Sequence, residues 1–231
     1  MLTSEKAALA VCHQIQMEQE RLCTELNWID PDWGPKRKSD LERCKKALYK
    51  TGEPPNKGFP DPKDVEFVSV VELCASKGKV PKFAEGGVSS NDCKQGNLGD
   101  CWLISALATV ANRDELLMGG KSGMQLEADM IVDQEVSSLL SKGVYPPIFH
   151  RYRRFGLYVI SLFINFNWIY VLVDDRIPVN AQTRKPIFGR CRAIDEIWVS
   201  IIEKAQAKLY GCYENLTSGY VDEGVQSLTG F

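Results

Sequence analysis

The sequence predicts an α+β fold that is mainly helical and includes a short β-hairpin. Apolar residues recur at helical spacing over 4–27, 101–117 and 196–211, which is typical of helices that pack on a core. Two apolar stretches rich in β-branched and aromatic residues, 157–164 and 168–179, are separated by Asn-Phe-Asn, and this pattern predicts the hairpin. With 231 residues, 44% of them hydrophobic, the chain can bury a core without a structural metal or disulfide.

Charge and hydropathy argue against a nucleic-acid partner and against a segment that crosses a membrane. The 28 basic and 30 acidic residues give a net charge of -2 and are mixed along the chain, so no basic stripe indicates nucleic acid, and proteins or peptides are the expected partners. The N-terminus carries Lys6, Glu18 and Glu20, which is unlike a signal peptide. No apolar run is long enough to cross a bilayer. We therefore expect a cytoplasmic protein with no transmembrane segment.

The cysteines predict thiols rather than disulfides or a zinc site. Their spacing is wide and irregular, no C-x-x-C pair occurs, and the two histidines lie far apart. In a chain without a secretory signal, most of them are expected to be reduced and buried as small apolar side chains. The eight are Cys12, Cys23, Cys44, Cys74, Cys93, Cys101, Cys191 and Cys212.

The N-terminal half is predicted to alternate helices with ordered loops. Residues 4–27 form an amphipathic packing helix. Two stretches rich in Pro, Gly and Asp, 28–35 and 51–64, flank a short helix near 39–50. Residues 65–73 predict a strand.

The C-terminal part is predicted to be a helix followed by turns. Asp195 is a candidate cap for the helix over 196–211. The closing stretch, 217–231, is small and turn-forming. On the helix, the spacing directs Ile197, Ile201, Ile202, Ala205 and Leu209 inward and leaves Glu203, Lys204 and Lys208 in solvent.

Cys101 is the residue whose surroundings indicate chemistry. It stands where a loop becomes a helix, and unpaired N–H groups and the helix dipole favour a thiolate there. Gly96 and Gly99 allow a sharp turn and a close approach of substrate. The Cys101 N–H and the Gln95 side-chain amide are candidate donors to the oxygen that gains charge during acyl transfer. Trp102 would form an apolar wall beside the nucleophile.

These residues carry a resemblance to a known family. The string QGNLGDCWLISALATVA, 95–111, closely resembles the nucleophile segment of the calpains, which are calcium-dependent, papain-like cysteine endopeptidases. Further matching segments, in the family's order, are WIDPDWGP (28–35), WIYVLVDDRIP (168–178), DEIWVSIIEKAQAKLYGCYENL (195–216) and LTGF (228–231). The resemblance implies a papain-like first protease subdomain over 27–231, with residues 1–26 as a separate helix and the second subdomain absent.

By this resemblance, Cys101 is the nucleophile, Gln95 the oxyanion donor and Trp102 a neighbour of the substrate. Gly219 falls where the family pairs a glycine backbone with substrate, although the glycine usual just before it is Ser218 here. From the residues alone, Gly219 is equally well an ordinary turn glycine.

The resemblance also implies a calcium site in the protease core. Asp92 and Glu196 match positions that bind calcium in the family's first subdomain, and carbonyls from Glu85 to Gly87 would complete the shell. Without the family, Asp92 indicates a loop turn, and Glu196 an acid at a helix start favoured by the dipole.

The general base is the part of the active site that this sequence does not supply. His13 lies outside the resemblance and His150 precedes the hairpin, whereas the family's catalytic His and Asn belong to the second subdomain. The expected function is a calcium-dependent cysteine endopeptidase of intracellular proteins, truncated before those residues and needing the second subdomain or a subunit that supplies it. The alternatives are an inactive calpain-like module that binds peptide or a partner, and a redox sensor using Cys93 and Cys101.

Overall fold

The structure, a computed structural model, describes residues 2–22, 27–37, 39–56, 58–84, 87–119 and 143–231. The α+β class is confirmed. The helices are α1 (Glu5–Leu22), α2 (Leu41–Leu48), α3 (Val70–Ala75), α4 (Cys101–Val110), α5 (Asp114–Met118), α6 (Trp198–Leu209) and α7 (Val221–Thr229). The strands are β1 (Leu2–Thr3), β2 (Val65–Ser69), β3 (Cys93–Lys94), β4 (Leu157–Ile164), β5 (Asn167–Asp174), β6 (Arg176–Asn180) and β7 (Arg190–Cys191).

The predicted hairpin is confirmed as β4 and β5, joined by a two-residue turn. Asn165 and Phe166 both have positive φ, 49° and 62°, which is the backbone of the turn that suits the twist of paired strands. β1 pairs with the other edge of β5 to give the antiparallel order β1-β5-β4. Two further antiparallel pairs, β2 with β6 and β3 with β7, form separate two-stranded sheets.

Two apolar cores lie on the hairpin. The larger one gathers α4, α6 and the facing side of the hairpin around the fully buried Trp198. The smaller one packs Ala8, Cys12 and Ile15 of α1 against Phe149 and neighbouring aromatic residues. The predicted N-terminal packing helix is therefore confirmed over Glu5–Leu22. No helix among the described residues is both long and apolar enough to pass through a bilayer.

Three predicted elements differ from the structure. The strand over 65–73 ends at Ser69, whose side chain accepts from the Val71 N–H and so caps α3. The helix over 101–117 is interrupted between α4 and α5. The closing stretch contains α7 rather than turns alone. Its small residues permit close packing, because a Cβ on Gly224 would lie 2.7 Å from the Ala106 Cβ of α4.

The largest correction concerns α6, whose charged residues are buried. Glu203 and Lys204 are each only 1% exposed. Lys204 Nζ donates to the carbonyls of Asp174 and Arg176 at 2.9 and 2.6 Å and also pairs with the Asp174 carboxylate. Lys208 Nζ pairs with Asp30 Oδ2 at 2.5 Å. Strand and loop partners thus replace the water that the pattern predicted around these side chains.

The start of α6 also differs from the prediction. The helix begins at Trp198 after Ile197, so Asp195 is not its cap. The Asp195 carboxylate instead pairs with Lys79 Nζ at 2.6 Å. The backbone of residues 195–198 is held by segment 82–83, since the Lys82 N–H donates to the Asp195 carbonyl at 2.7 Å.

Candidate active site

Cys101 is the first residue of α4 and has an exposed thiol. Among the seven cysteines that the structure describes, it is the one exposed thiol, whereas Cys93 is half-buried and the other five are buried. Backbone N–H groups in the first turn of a helix have no partner within that helix. An accessible sulfur therefore lies beside backbone donors, as acyl transfer requires.

The loop before Cys101 is fixed by close contact with residues 187–188. A Cβ on Gly96 would lie 2.4 Å from backbone atoms of Ile187 and Phe188, and the Asn97 N–H donates to the Ile187 carbonyl at 2.8 Å. Gly96 is therefore required by packing within the protein, and a close approach of substrate there stays a prediction. The exposed Gln95 donates from Nε2 to the Leu98 carbonyl at 2.8 Å. An amide nitrogen carries two hydrogens, so one donor can serve an oxyanion.

Trp102 and Gly219 are brought into direct contact. Trp102 is 6% exposed, and its indole N–H donates to the Leu216 carbonyl at 2.7 Å. A Cβ on Gly219 would lie 2.7 Å from the indole ring, so this position excludes any side chain. The ring supports the 216–219 segment from inside, and contact of Trp102 with substrate stays a prediction.

Ser218 stands where the family usually has a glycine, and its backbone conformation is one that favours glycine. Its φ is 69°, a left-handed conformation that glycine adopts at no steric cost. The Ser218 N–H donates to the Gly99 carbonyl at 3.0 Å, which ties the 216–219 segment to the cysteine loop. The turn residue is thus Ser218, whereas Gly219 is required by Trp102.

Sequence reasoning missed a buried carboxyl pair behind Cys101. Asp100 is fully buried, Glu203 is 1% exposed, and the two carboxyl groups are close enough to influence each other's pKa. Burial raises the pKa of Asp100, and burial together with the Asp100 charge raises the pKa of Glu203 well above its usual range. The signal in the sequence was that apolar or small residues, such as Ile202 and Ala207, surround Glu203 on α6 and leave no solvent-exposed side of the helix for it.

Neither histidine of the chain is presented to Cys101 as a base. His150 stacks on Tyr145 with ring centroids 4.1 Å apart, and its Nε2 lies 2.9 Å from the Tyr145 carbonyl. Burial lowers the pKa of His150 to about 4, so it is neutral at pH 7. His13 is exposed and meets the edge of the Tyr152 ring at 6.0 Å.

The two acids predicted to bind calcium lie near the β3–β7 pair. The carboxylates of Glu196 and Asp92 are both close enough to the Cys191 thiol to raise its pKa, after the larger effect of burial. The Ser89 N–H donates to Asp92 Oδ2 at 3.0 Å, and a carboxylate has further lone pairs for a cation. These oxygens are the donor type that calcium takes.

The rest of a calcium shell is only partly described. Gly87 has a φ of 109°, so the chain turns sharply beside the predicted ligands. Glu85 lies outside the described residues. Within the described ranges, no three His, Cys, Asp or Glu side chains gather around one metal position. A full shell would need the backbone carbonyls of segment 85–87.

Cys93 has a different neighbour from the one considered for redox chemistry. It lies directly opposite Cys191 in the β3–β7 pair, and both are free thiols. Burial, with a smaller effect of Asp92, raises the pKa of Cys93 to about 12. That disfavours the thiolate that oxidation requires, and a bond between Cys93 and Cys101 stays a prediction.

Comparisons with known proteins show which family the chain resembles in sequence. The family model described as calpain family cysteine protease matches residues 43–231. Calpain-5 of Caenorhabditis elegans is 35% identical over 151 residues, 65% of this chain and 20% of the relative. Human calpain-8 is 33% identical over 194 residues, which are 83% of this chain and 23% of the relative. The mouse calpain-2 catalytic subunit is 32% identical over 167 residues, which are 72% of this chain and 20% of the relative.

The chain thus spans a fifth to a quarter of the length of these relatives. The match includes the exposed thiol at the start of α4, the glycine loop and the buried helix α6. The chain belongs to the calpain family of cysteine proteases.

Proposed function

We propose that this chain is the cysteine-bearing, papain-like half of a calcium-dependent endopeptidase that cleaves intracellular proteins. The observation that carries the proposal is the exposed Cys101 thiol at the first residue of α4, beside the Gln95 amide loop. Family membership supports protein substrates.

The chemistry assigned to these residues is acyl transfer to sulfur. The Cys101 thiolate attacks the carbonyl carbon of the scissile bond, and the carbonyl oxygen gains the negative charge. The Cys101 N–H and the second Gln95 amide hydrogen donate to that oxygen. When the intermediate collapses, the acyl group stays on sulfur and the amine leaves with a proton.

An imidazole must deliver that proton. We assign this imidazole to a polypeptide segment other than the one that contains His13 and His150. His150 is held by the Tyr145 carbonyl and His13 lies against Tyr152. In a two-part cleft, the second half would present the base across from Cys101.

We also propose that calcium binds through Asp92 and Glu196 with the carbonyls of segment 85–87. A bound cation would supply charge that holds segment 82–92 against the start of α6. The support is the oxygen-only donor set and the proximity of both acids to Cys191.

The test is the rate of thiol alkylation by iodoacetamide, followed by mass spectrometry of each cysteine. Cys101 is expected to react faster than the same thiol in a synthetic NLGDCWL peptide, because the helix start favours the thiolate. The Cys101→Ser variant gives the background of the remaining thiols. A Cys101 rate equal to that of the peptide would show exposure without activation and would refute the nucleophile assignment.

A second candidate is an inactive module that binds peptide or a protein partner. The observation in its favour is that both histidines are engaged elsewhere. It predicts that a peptide binds to wild type and to Cys101→Ser with equal affinity while Cys101 shows no enhanced alkylation.

A further inference from the structure

Glu203 connects two backbone segments behind the nucleophile. Its Oε1 and Oε2 accept from the Gly189 N–H at 2.8 and 3.0 Å. A Cβ on Gly189 would lie 2.8 Å from Oε1 and 2.9 Å from Ile104 Cδ1, so the Glu203 carboxyl is enclosed by α4 and by the segment before β7. That segment is the same one on which Gly96 and Asn97 rest.

Asp100 needs a hydrogen-bond donor, and a protonated Glu203 is a neighbour that can supply one. Asp100 precedes α4, and its side chain makes no capping hydrogen bond there. Both Asp100 carboxyl oxygens are buried, and neither has a hydrogen-bond partner among the described residues. Because two neighbouring ionised carboxylates repel strongly in a buried site, we assign a proton to one Glu203 oxygen, where it can donate to one Asp100 oxygen while the other Glu203 oxygen still accepts from Gly189.

The charges and the burial around Glu203 favour a proton shared between Glu203 and Asp100. Burial is the largest cause that raises the pKa of Glu203, followed by the charge of Asp100. Arg190 acts in the opposite direction but with a smaller effect than either. The fully buried Tyr213 lies near the pair, and negative charge there raises the pKa of Tyr213 after the larger effect of burial.

We propose that Glu203 is a positioning residue for Cys101, because its proton bonds Asp100 and its other oxygen holds the Gly189 N–H. The inference rests on the proposed function, since it assigns Glu203 to the same nucleophile. The pair fixes the first turn of α4 relative to segment 187–189, and so fixes the Cys101 N–H and sulfur relative to the Gln95 loop.

Two substitutions separate this role from simple packing. Glu203→Gln keeps an acceptor for Gly189 and gains an amide donor for Asp100, so it needs no shared proton. Glu203→Leu fills similar volume and removes both bonds. If Glu203 positions Cys101, the Glu203→Gln variant should retain the reactivity of Cys101, and the Glu203→Leu variant should lose it.

The first readout is the stability of wild type and Glu203→Gln as a function of pH, by urea unfolding of the full chain. A carboxyl with a raised folded-state pKa contributes stability that is present at acid pH and is lost as pH rises. The unfolding equilibrium constant of wild type relative to Glu203→Gln should therefore rise with pH above the ordinary glutamate range, by up to about tenfold per pH unit, until the raised folded-state pKa is reached. A flat ratio would overturn the inference, and it decides the matter even if the Leu variant does not fold.

The second readout is acylation of Cys101 by a peptide p-nitrophenyl ester, whose leaving group needs no proton. We expect Glu203→Gln to acylate within about threefold of wild type and Glu203→Leu to be slowed about tenfold or more, because misplacement of a reacting atom is costly. Circular dichroism and cooperative unfolding confirm that each variant is folded.

The two possible failures are distinguishable. Equal rates in wild type and Glu203→Leu, or a Gln variant as slow as Leu, would overturn the positioning role. Failure of the proposed function would instead appear in wild type itself, as acylation of Cys101 no faster than that of the NLGDCWL peptide.

Discussion

Ser218 holds a left-handed backbone conformation, with φ at 69°, that costs a residue with a side chain roughly 1 kcal/mol relative to glycine. Replacement by glycine removes that cost. We expect Ser218→Gly to raise the free energy of unfolding by about 0.5–1 kcal/mol, measured by urea denaturation. Ser218→Ala keeps the Cβ and is the matched control, with little change expected. A Gly variant no more stable than the Ala variant would show that the conformation is unstrained.

At the scale of single residues, the sequence predicted those whose role is local and missed those whose role depends on distant contacts. Cys101 and Gln95 stand within one short loop pattern, so their neighbours are enough to make them candidates. The contact of Asp100 with Glu203 joins α4 to α6. The apolar neighbours of Glu203 on α6 indicate that it is buried, but nothing in either local stretch identifies Asp100 as its partner, and a charged residue on a helix is ordinarily assigned to solvent.

At the scale of elements, α6 depends on a buried ion pair with the end of β5. Burial alone would raise the pKa of Asp174, but Lys204 and Arg176 outweigh it and lower the pKa to about 2. The stability that this provides is present above the ordinary aspartate value and is lost as pH falls towards 2.

We therefore expect wild type to lose about 2 kcal/mol more stability than Asp174→Asn when pH falls from about 4 to 2. At pH 7, Asp174→Asn should cost about 3–5 kcal/mol, because Lys204 keeps a buried, uncompensated charge. Urea unfolding at several pH values measures both effects, with exposed Asp222→Asn as the control. Parallel pH curves for wild type and Asp174→Asn would contradict the pairing.

Elements were predictable where one periodicity governs a whole segment. The hairpin and α1 have such patterns and were found. α7 was missed because Gly224, Ser227 and Gly230 are typical of turns, whereas here the first two are buried and Gly230 ends the helix with a φ of 79°. The strand over 65–73 was overextended because Val70 and Val71 suit either structure and Ser69 starts a helix.

At the scale of the whole molecule, the proposed calcium site joins segment 82–92 to α6. Calcium that binds only the folded state must raise the melting temperature. We expect millimolar calcium to raise it by several degrees in wild type, relative to chelator, and to have no effect in Asp92→Asn or Glu196→Gln. Exposed Glu223→Gln, remote in sequence from both ligands, should respond like wild type. An equal rise in all four proteins would show nonspecific binding and contradict the assignment.

The central claim is that Cys101 is an acyl-accepting thiolate with Gln95 as its oxyanion donor. The most direct measurement is the burst of p-nitrophenolate from a peptide p-nitrophenyl ester, with the acylated residue identified by mass spectrometry. The account predicts one acyl group per chain, on Cys101, and a burst about tenfold or more slower in Gln95→Ala, because a donor to the oxyanion is lost. Acylation spread over other residues, or a Gln95→Ala burst as fast as wild type, would contradict it.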